Sequence, residues 1–245
     1  MAQETFKRKD LKYLCSNDGV ESLLNELGDF LIEDINMGDK RHYTVKSLYF
    51  DSPEYAFLNS HNDIFKQKVR LRSYNDNGIN DASFIEIKSK YKDVSIKRRM
   101  CLKLDSSYKF LLEGILPADN EIADANIFNE IKNLKKYNDL LPVVKIVYKR
   151  MAFYHRDAPD IRMTIDRDII CDFDDLRLES KTGSRMSGER IIDKNSSLIE
   201  IKSMYGIPFE MVESINGIRL FPQSFSKYIV SLEKMAADLA QAMVC

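Results

Sequence analysis

The phrase Ile-Glu-Ile-Lys-Ser occurs twice, once at Ile85-Glu86-Ile87-Lys88-Ser89 and again at Ile199-Glu200-Ile201-Lys202-Ser203, close to half of the 245-residue chain apart. Both copies alternate apolar and charged residues with period two. That is the signature of a β-strand with its isoleucines on one face and its Glu and Lys on the other. A strand face that carries a carboxylate beside an ammonium is not an ordinary apolar core. Two explanations stay open at this point: an exposed face laced with cross-strand ion pairs, which is common, or the wall of a functional site.

Other strands carry the same kind of face. Lys68, Arg70 and Arg72 fall at period two on one side of a strand, where like charges repel unless an anion or a set of carboxylates faces them. Lys97 and Arg99 do the same in the segment Val94 to Leu102, after a tight Lys92-Asp93 connection. Further strands are expected at Phe6 to Ser16, Tyr43 to Asp51, Leu141 to Tyr154, Ile161 to Ile169 and 197 to 204, which makes eight with the 68 to 72 region and the first Glu-Ile-Lys strand running to Tyr91. Helices are expected at 17 to 35, capped by Ser16 or Asn17 and ended by Gly38, and in a short segment after Ser52-Pro53 through Tyr55 and Leu58. More follow at 106 to 114, 123 to 137, 208 to 215 and 222 to 242, with a polar loop from 179 to 190. No low-complexity linker divides the chain, so the expectation is one domain over 1 to 245. Its class is α+β: short connections make the strands antiparallel, and eight such strands can close into a barrel wide enough for one elongated ligand.

Charge balance narrows what that ligand can be. Lys plus Arg number 37 against 38 for Asp plus Glu, so no global field draws the chain to nucleic acid or an anionic membrane. Any anion site is local. Four cysteines without CxxC spacing and three histidines argue against zinc and against a disulfide framework, and suit a reducing, cytoplasmic setting. No stretch approaches the roughly 20 apolar residues of a membrane span.

The cations on the unusual strand faces are Lys68, Arg70, Arg72, Lys88, Lys90, Lys97, Arg99, Arg150, Arg162 and Lys202, accompanied by Glu86, Asp166 and Glu200. Ten cations cannot all be neutralised by three carboxylates, and unpaired buried charges cost several kcal/mol each. Such a wall must be wet and hold a polyanion. Arg forks suit phosphate oxygens and Lys supplies point charges between them. One or two carboxylates in the wall are what Mg²⁺ or Mn²⁺ needs when substrate phosphates complete its shell. Individual residues have plainer roles open to them. Lys68 and Lys90 can point to solvent, Asp166 is expected to pair with an Arg, and Tyr49, Tyr74 and Tyr154 are expected to pack in the wall. His42, His61, His155 and the Lys7-Arg8-Lys9 run are expected at the surface.

Taken in order, Lys12-Tyr13, Ser47-Leu-Tyr-Phe-Asp51, Arg70-Leu-Arg72-Ser-Tyr74, Glu86-Ile-Lys88-Ser-Lys90, Lys97-Arg98-Arg99, Tyr148-Lys-Arg150, Arg162-Met-Thr-Ile-Asp166, Glu200-Ile-Lys202 and Ser226-Lys-Tyr228 resemble a VTC domain. This is the polyphosphate polymerase branch of the triphosphate tunnel metalloenzyme, or CYTH-like, superfamily. The resemblance implies an antiparallel eight-stranded tunnel with flanking helices. It implies catalytic roles for Arg70, Arg72, Lys88, Lys97 and Lys202, and substrate binding by Lys12, Lys90, Arg99, Arg150 and Arg162. Glu200 is the first choice and Glu86 the second for binding Mn²⁺ or Mg²⁺. The wider superfamily carries Glu-x-Glu-x-Lys, whereas Phe84 and Leu198 stand at the first Glu position here, a loss the VTC branch commonly shares. The implied substrates are ATP and polyphosphate, with no nucleic acid, no membrane span of the chain's own, and a membrane protein as a possible partner. The implied reaction moves the γ-phosphoryl group of ATP onto a growing chain, which asks for positioning and charge neutralisation and for no protein base. Two alternatives share the fold: a metal-dependent triphosphatase or polyphosphatase, and a non-catalytic sensor of polyphosphate or inositol phosphates.

Overall fold

A computed structural model describes residues 9–59, 65–92, 94–179 and 188–242. In chain order the elements are β1 (Lys9–Ser16), α1 (Asn17–Glu26), β2 (Leu31–Glu33), β3 (Tyr43–Asp51), β4 (Phe65–Tyr74), β5 (Ala82–Tyr91) and β6 (Val94–Lys103). There follow α2 (Leu104–Tyr108), a π-helical turn at Lys109–Glu113, α3 (Ala125–Asn138), β7 (Leu141–His155), β8 (Arg162–Asp172), β9 (Glu189–Arg190), β10 (Ser196–Ser203), α4 (Phe209–Gly217) and α5 (Lys227–Ala242). The eight long strands fall close to where the sequence places them.

The chain divides into two compact units. The first comprises Met1–Thr44, Tyr148–Ile169 and Arg190–Val230, and the second Val45–Val147, Ile170–Glu189 and Ser231–Cys245. In the first, β1 pairs with β10 and β10 with β8, both antiparallel, and β2 pairs with β7. Ser16 caps α1 by accepting a hydrogen bond from Gly19 N, and α1 buries Val20 and Leu23 while packing on β1, β10 and α4. In the second unit β3, β4, β5 and β6 form an antiparallel meander. One face of this meander supplies Leu48, Phe50, Val69, Leu71, Ile85, Ile87, Met100 and Leu102 to a core closed by Tyr108, Phe110, Phe128 and Ile131 from the helical segment. Period-two alternation therefore aims the other face of β4, β5 and β6, with its cations, away from that core.

Four expectations change. The strand order runs β1-β10-β8-β7-β3-β4-β5-β6, and among the described residues no pairing joins β1 to β6, so the sheet is not closed into a barrel. Closure needs unpaired main-chain groups on both end strands; on β1 the Lys12 carbonyl already accepts from Gln223 N at 2.8 Å. The helix expected over 17 to 35 stops at Glu26. Leu31, which continues its apolar stripe, is captured by β2, where it pairs with His155. Gly38 does not end that helix; it lies inside a 3-10 segment, Ile35–Lys40, at φ 54°. The segment after Ser52 is a set of turns held by the Asp51 carboxylate, which accepts from the backbone of Ser52, Phe57 and Leu58. Lys7, Arg8, His61 and most of the 179 to 190 loop lie outside the described residues.

Candidate functional site

Strand register in the second unit sets four rows across one face. Ser47, Arg72, Phe84 and Cys101 form one, Tyr49, Arg70, Glu86 and Arg99 the next, then Lys68, Lys88 and Lys97, then Lys66, Lys90 and Ser95. Eight cations thus share this face with Glu86: Lys66, Lys68, Arg70, Arg72, Lys88, Lys90, Lys97 and Arg99. Glu86 is only 1% exposed. Its Oε2 accepts from Arg70 Nε at 2.8 Å and lies 2.7 Å from Arg70 Nη2 and 3.7 Å from Arg72 Nη1, while Lys97 Nζ pairs with Oε1. Ser47 Oγ accepts from Arg72 Nε at 3.1 Å and Tyr49 Oη from Arg70 Nη1 at 3.0 Å.

The electrostatics follow from this crowding. Burial alone would raise the Glu86 carboxyl, but Arg70, Arg72 and Lys97 outweigh it and hold the group at about 2. Burial likewise would raise the Tyr49 phenol, yet Arg70, Arg72 and Lys68 bring it down to about 8. The Lys97 ammonium is lowered to about 8 by burial, against the attraction of Glu86.

In the first unit the rows on β1, β10 and β8 are Asp10, Lys202 and Arg162; Lys12, Glu200 and Thr164; and Leu14, Leu198 and Asp166. Asp166, 1% exposed, accepts from Arg150 Nε at 2.6 Å, Arg150 Nη2 at 2.7 Å and Lys227 Nζ at 2.6 Å. Pairing with an Arg, as expected, consumes both its oxygens. Arg162 donates to Asp34 at 2.7 Å, and its guanidinium lies 5.3 Å over the Tyr154 ring. Lys12 Nζ donates to the Phe225 carbonyl at 2.5 Å. Glu200 pairs with Lys202 at 3.0 Å. Its burial is outweighed by Lys202, Lys227, Arg150 and Lys12, which hold its carboxyl well below the usual carboxylate range.

The two carboxylates assigned to a metal have different surroundings. Glu86 already touches three cations, a donor environment that repels a divalent ion. Among the described residues Glu200 pairs with Lys202 alone, with Lys227, Arg150 and Lys12 further off, and Thr164, directly opposite it in the ladder, has a buried hydroxyl oxygen with no hydrogen-bond partner. No group of three His, Cys, Asp or Glu side chains able to hold a metal occurs among the described residues. The Glu200 site therefore fits Mg²⁺ or Mn²⁺ only as a one-carboxylate site whose shell is completed by phosphate oxygens.

The register thus gathers Arg70, Arg72, Lys88, Lys90, Lys97, Arg99 and Glu86 on one face of the second unit. It gathers Lys12, Arg162, Glu200 and Lys202 on one face of the first, with Arg150 joined to Asp166 beside them. Lys227 was not singled out in the sequence, although the Ser226-Lys-Tyr228 motif contains it. His155 is not at the surface: it is 3% exposed, its Nδ1 accepts from the backbone of Asp157 and Ala158, and its Nε2 lies 2.9 Å from Glu210.

The frame is a mostly antiparallel sheet flanked by helices, with strand faces crowded by Arg and Lys. The chain belongs to the VTC domain family, whose pattern it matches over residues 7–236. No curated protein sequence matches it. Among solved structures it is similar to a candidate adenylate cyclase from Bacillus halodurans, at 11% identity and a TM-score of 0.53, covering 92% of this chain and 96% of that one. It is also similar to a Pyrococcus horikoshii OT3 protein at 14% identity and a TM-score of 0.47, covering 93% of this chain and 99% of that one. Among the described residues no helix is long and apolar enough to cross a membrane.

Proposed function

We propose that this VTC domain is a polyphosphate polymerase, moving the γ-phosphoryl group of ATP onto the terminal phosphate of a growing chain. The observation that carries the reading is the second unit's face, where Arg70, Arg72 and Lys97 converge on the buried Glu86 carboxylate and Arg99 stands in the same row. Guanidinium and ammonium groups gathered in this way suit a ligand with many phosphates, and donor and acceptor are both polyanions that repel one another.

Glu86 and Ser47 fix the Arg forks before any ligand arrives, so their N–H groups need little reorganisation to meet phosphate oxygens. Lys88 and Lys97 supply charge as the γ-phosphoryl group leaves the β-phosphate oxygen and bonds to the acceptor oxygen, releasing ADP, and Lys202 is read as a charge-supplying residue on the first unit. Lys12, Arg150 and Arg162 serve substrate binding. Glu200, with the Thr164 hydroxyl, would hold Mg²⁺ or Mn²⁺, which when bound neutralises phosphate charge. The acceptor phosphate is already ionised, so no side chain has to remove a proton. Hydrolysis, by contrast, calls for a carboxylate able to orient water, and Glu86 and Asp166 are both bound to cations.

The test is to incubate the protein with ATP and Mn²⁺ or Mg²⁺ and resolve the products on a gel that separates phosphate polymers. Long chains that disappear in Lys88→Ala and Glu200→Gln are expected. Release of inorganic phosphate alone would replace the polymerase reading with a hydrolase one, and binding of triphosphate without turnover would make the protein a sensor.

A further inference from the structure

The charged face of the second unit carries one aromatic side chain that its pattern does not require. Phe84 lies on the same side of β5 as Glu86 and Lys88, opposite the side on which Ile85 and Ile87 join the core, and neither Phe84 nor Tyr74 belongs to that core. The Phe84 ring is half-buried and meets Tyr74 edge-on, with centroids 5.9 Å apart and planes at 70°. On its other partner strand, Arg99 holds its guanidinium 4.8 Å from the Phe84 centroid. Arg99 is exposed, and its guanidinium meets no carboxylate among the described residues, unlike Arg70 and Arg72 beside it. The result is a guanidinium set over an aromatic ring that a second ring meets edge-on, at one end of the rows of cations. Arg99 is the register partner of Glu86, one row and roughly 7 Å at strand rise from Lys88 and Lys97, while Phe84 lies two rows, roughly 14 Å, from Lys88.

Planar guanidinium and aromatic groups stack on nucleobases, whichever base is present, with larger bases stacking more strongly. We propose that Arg99, set over the Phe84 ring, is a shelf for the nucleobase of a nucleoside triphosphate whose phosphates run toward Lys88 and Lys97. The shelf rests on the phosphate-binding reading of this face and adds a specificity to it. The face then prefers a nucleoside triphosphate to bare tripolyphosphate, and a purine to a pyrimidine.

Calorimetric titration of the whole chain with ATP, UTP and inorganic tripolyphosphate, each with Mg²⁺, tests this. The expected order of affinity is ATP, then UTP, then tripolyphosphate. Phe84→Leu and Arg99→Lys, the second of which keeps the charge and sits at the surface, are expected to lower the ratio of ATP to tripolyphosphate affinity about tenfold. Phe84→Tyr, which keeps the ring, is expected to preserve it. An unchanged ratio in Arg99→Lys overturns the shelf while leaving phosphate binding intact. Failure of the unaltered protein to bind either ATP or tripolyphosphate overturns both the shelf and the reading beneath it.

Discussion

Glu86→Gln is the most incisive single change in the second unit. Gln has nearly the shape of a protonated Glu, so the substitution imposes permanently what acid does reversibly. The carboxyl sits at about 2 against an ordinary 4.5, and that separation corresponds to about 3 kcal/mol favouring the ionised form in the folded protein. Because Glu86 is 1% exposed, solvent screening removes little of this, and the figure agrees with the roughly 3–5 kcal/mol lost when one member of a buried ion pair is deleted. The sign is fixed by the depressed value. The stabilisation is fully present above about pH 4.5 and is lost as pH falls toward about 2. Urea unfolding at pH 7 should therefore find Glu86→Gln less stable by about 3 kcal/mol, with the gap shrinking to about 1 kcal/mol at pH 3. Tripolyphosphate should restore more stability to the variant than to the parent, since it supplies the missing negative charge beside Arg70, Arg72 and Lys97. A gap that stays constant from pH 7 to pH 3, or no gap at all, would refute the assignment of Glu86 as the counter-charge of this face.

Two other outcomes can be checked alongside. Asp166→Asn leaves Arg150 and Lys227 facing each other at a site 1% exposed, and chemical denaturation should show a loss of about 3–5 kcal/mol. Tyr49, held at about 8 by Arg70, Arg72 and Lys68 against its burial, should give a phenolate absorbance step near pH 8 that Tyr49→Phe removes. Saturating tripolyphosphate should move that step to higher pH, because a bound anion weakens the positive field.

The fold was legible wherever a periodic signal was local. Alternation and β-forming composition together located all eight long strands, and Ser16 or Asn17 marked the start of α1, which Ser16 caps. What failed depended on partners distant in sequence. Leu31 continues a helical stripe, but pairing with His155 removes it, and nothing near Leu31 signals that. His155 reads as a surface residue until Glu210, from α4, and Phe30, stacked at 6.0 Å, bury it. Closure of the sheet was expected from strand number and from the family resemblance, and neither says what else occupies an end strand such as β1. At the sites, the types of residue were readable and their pairings were not. Two copies of one phrase place Glu86 among three cations and Glu200 beside one ammonium and a buried hydroxyl, a difference made by neighbouring strands.

The rows across β4, β5 and β6 recur every second residue, roughly 7 Å apart, and they are not equally stiff. Arg72 and Arg70 are anchored by Ser47, Tyr49 and Glu86, while Lys90, exposed near the end of β5, has a flexible four-carbon stem. A polymer of identical phosphates presents the same outline after each shift by one unit. Laid along such a face, it exchanges one set of contacts for an equivalent set when it slides. On the proposed reading, the anchored arginines would hold such a polymer in line as it passes from one register to the next.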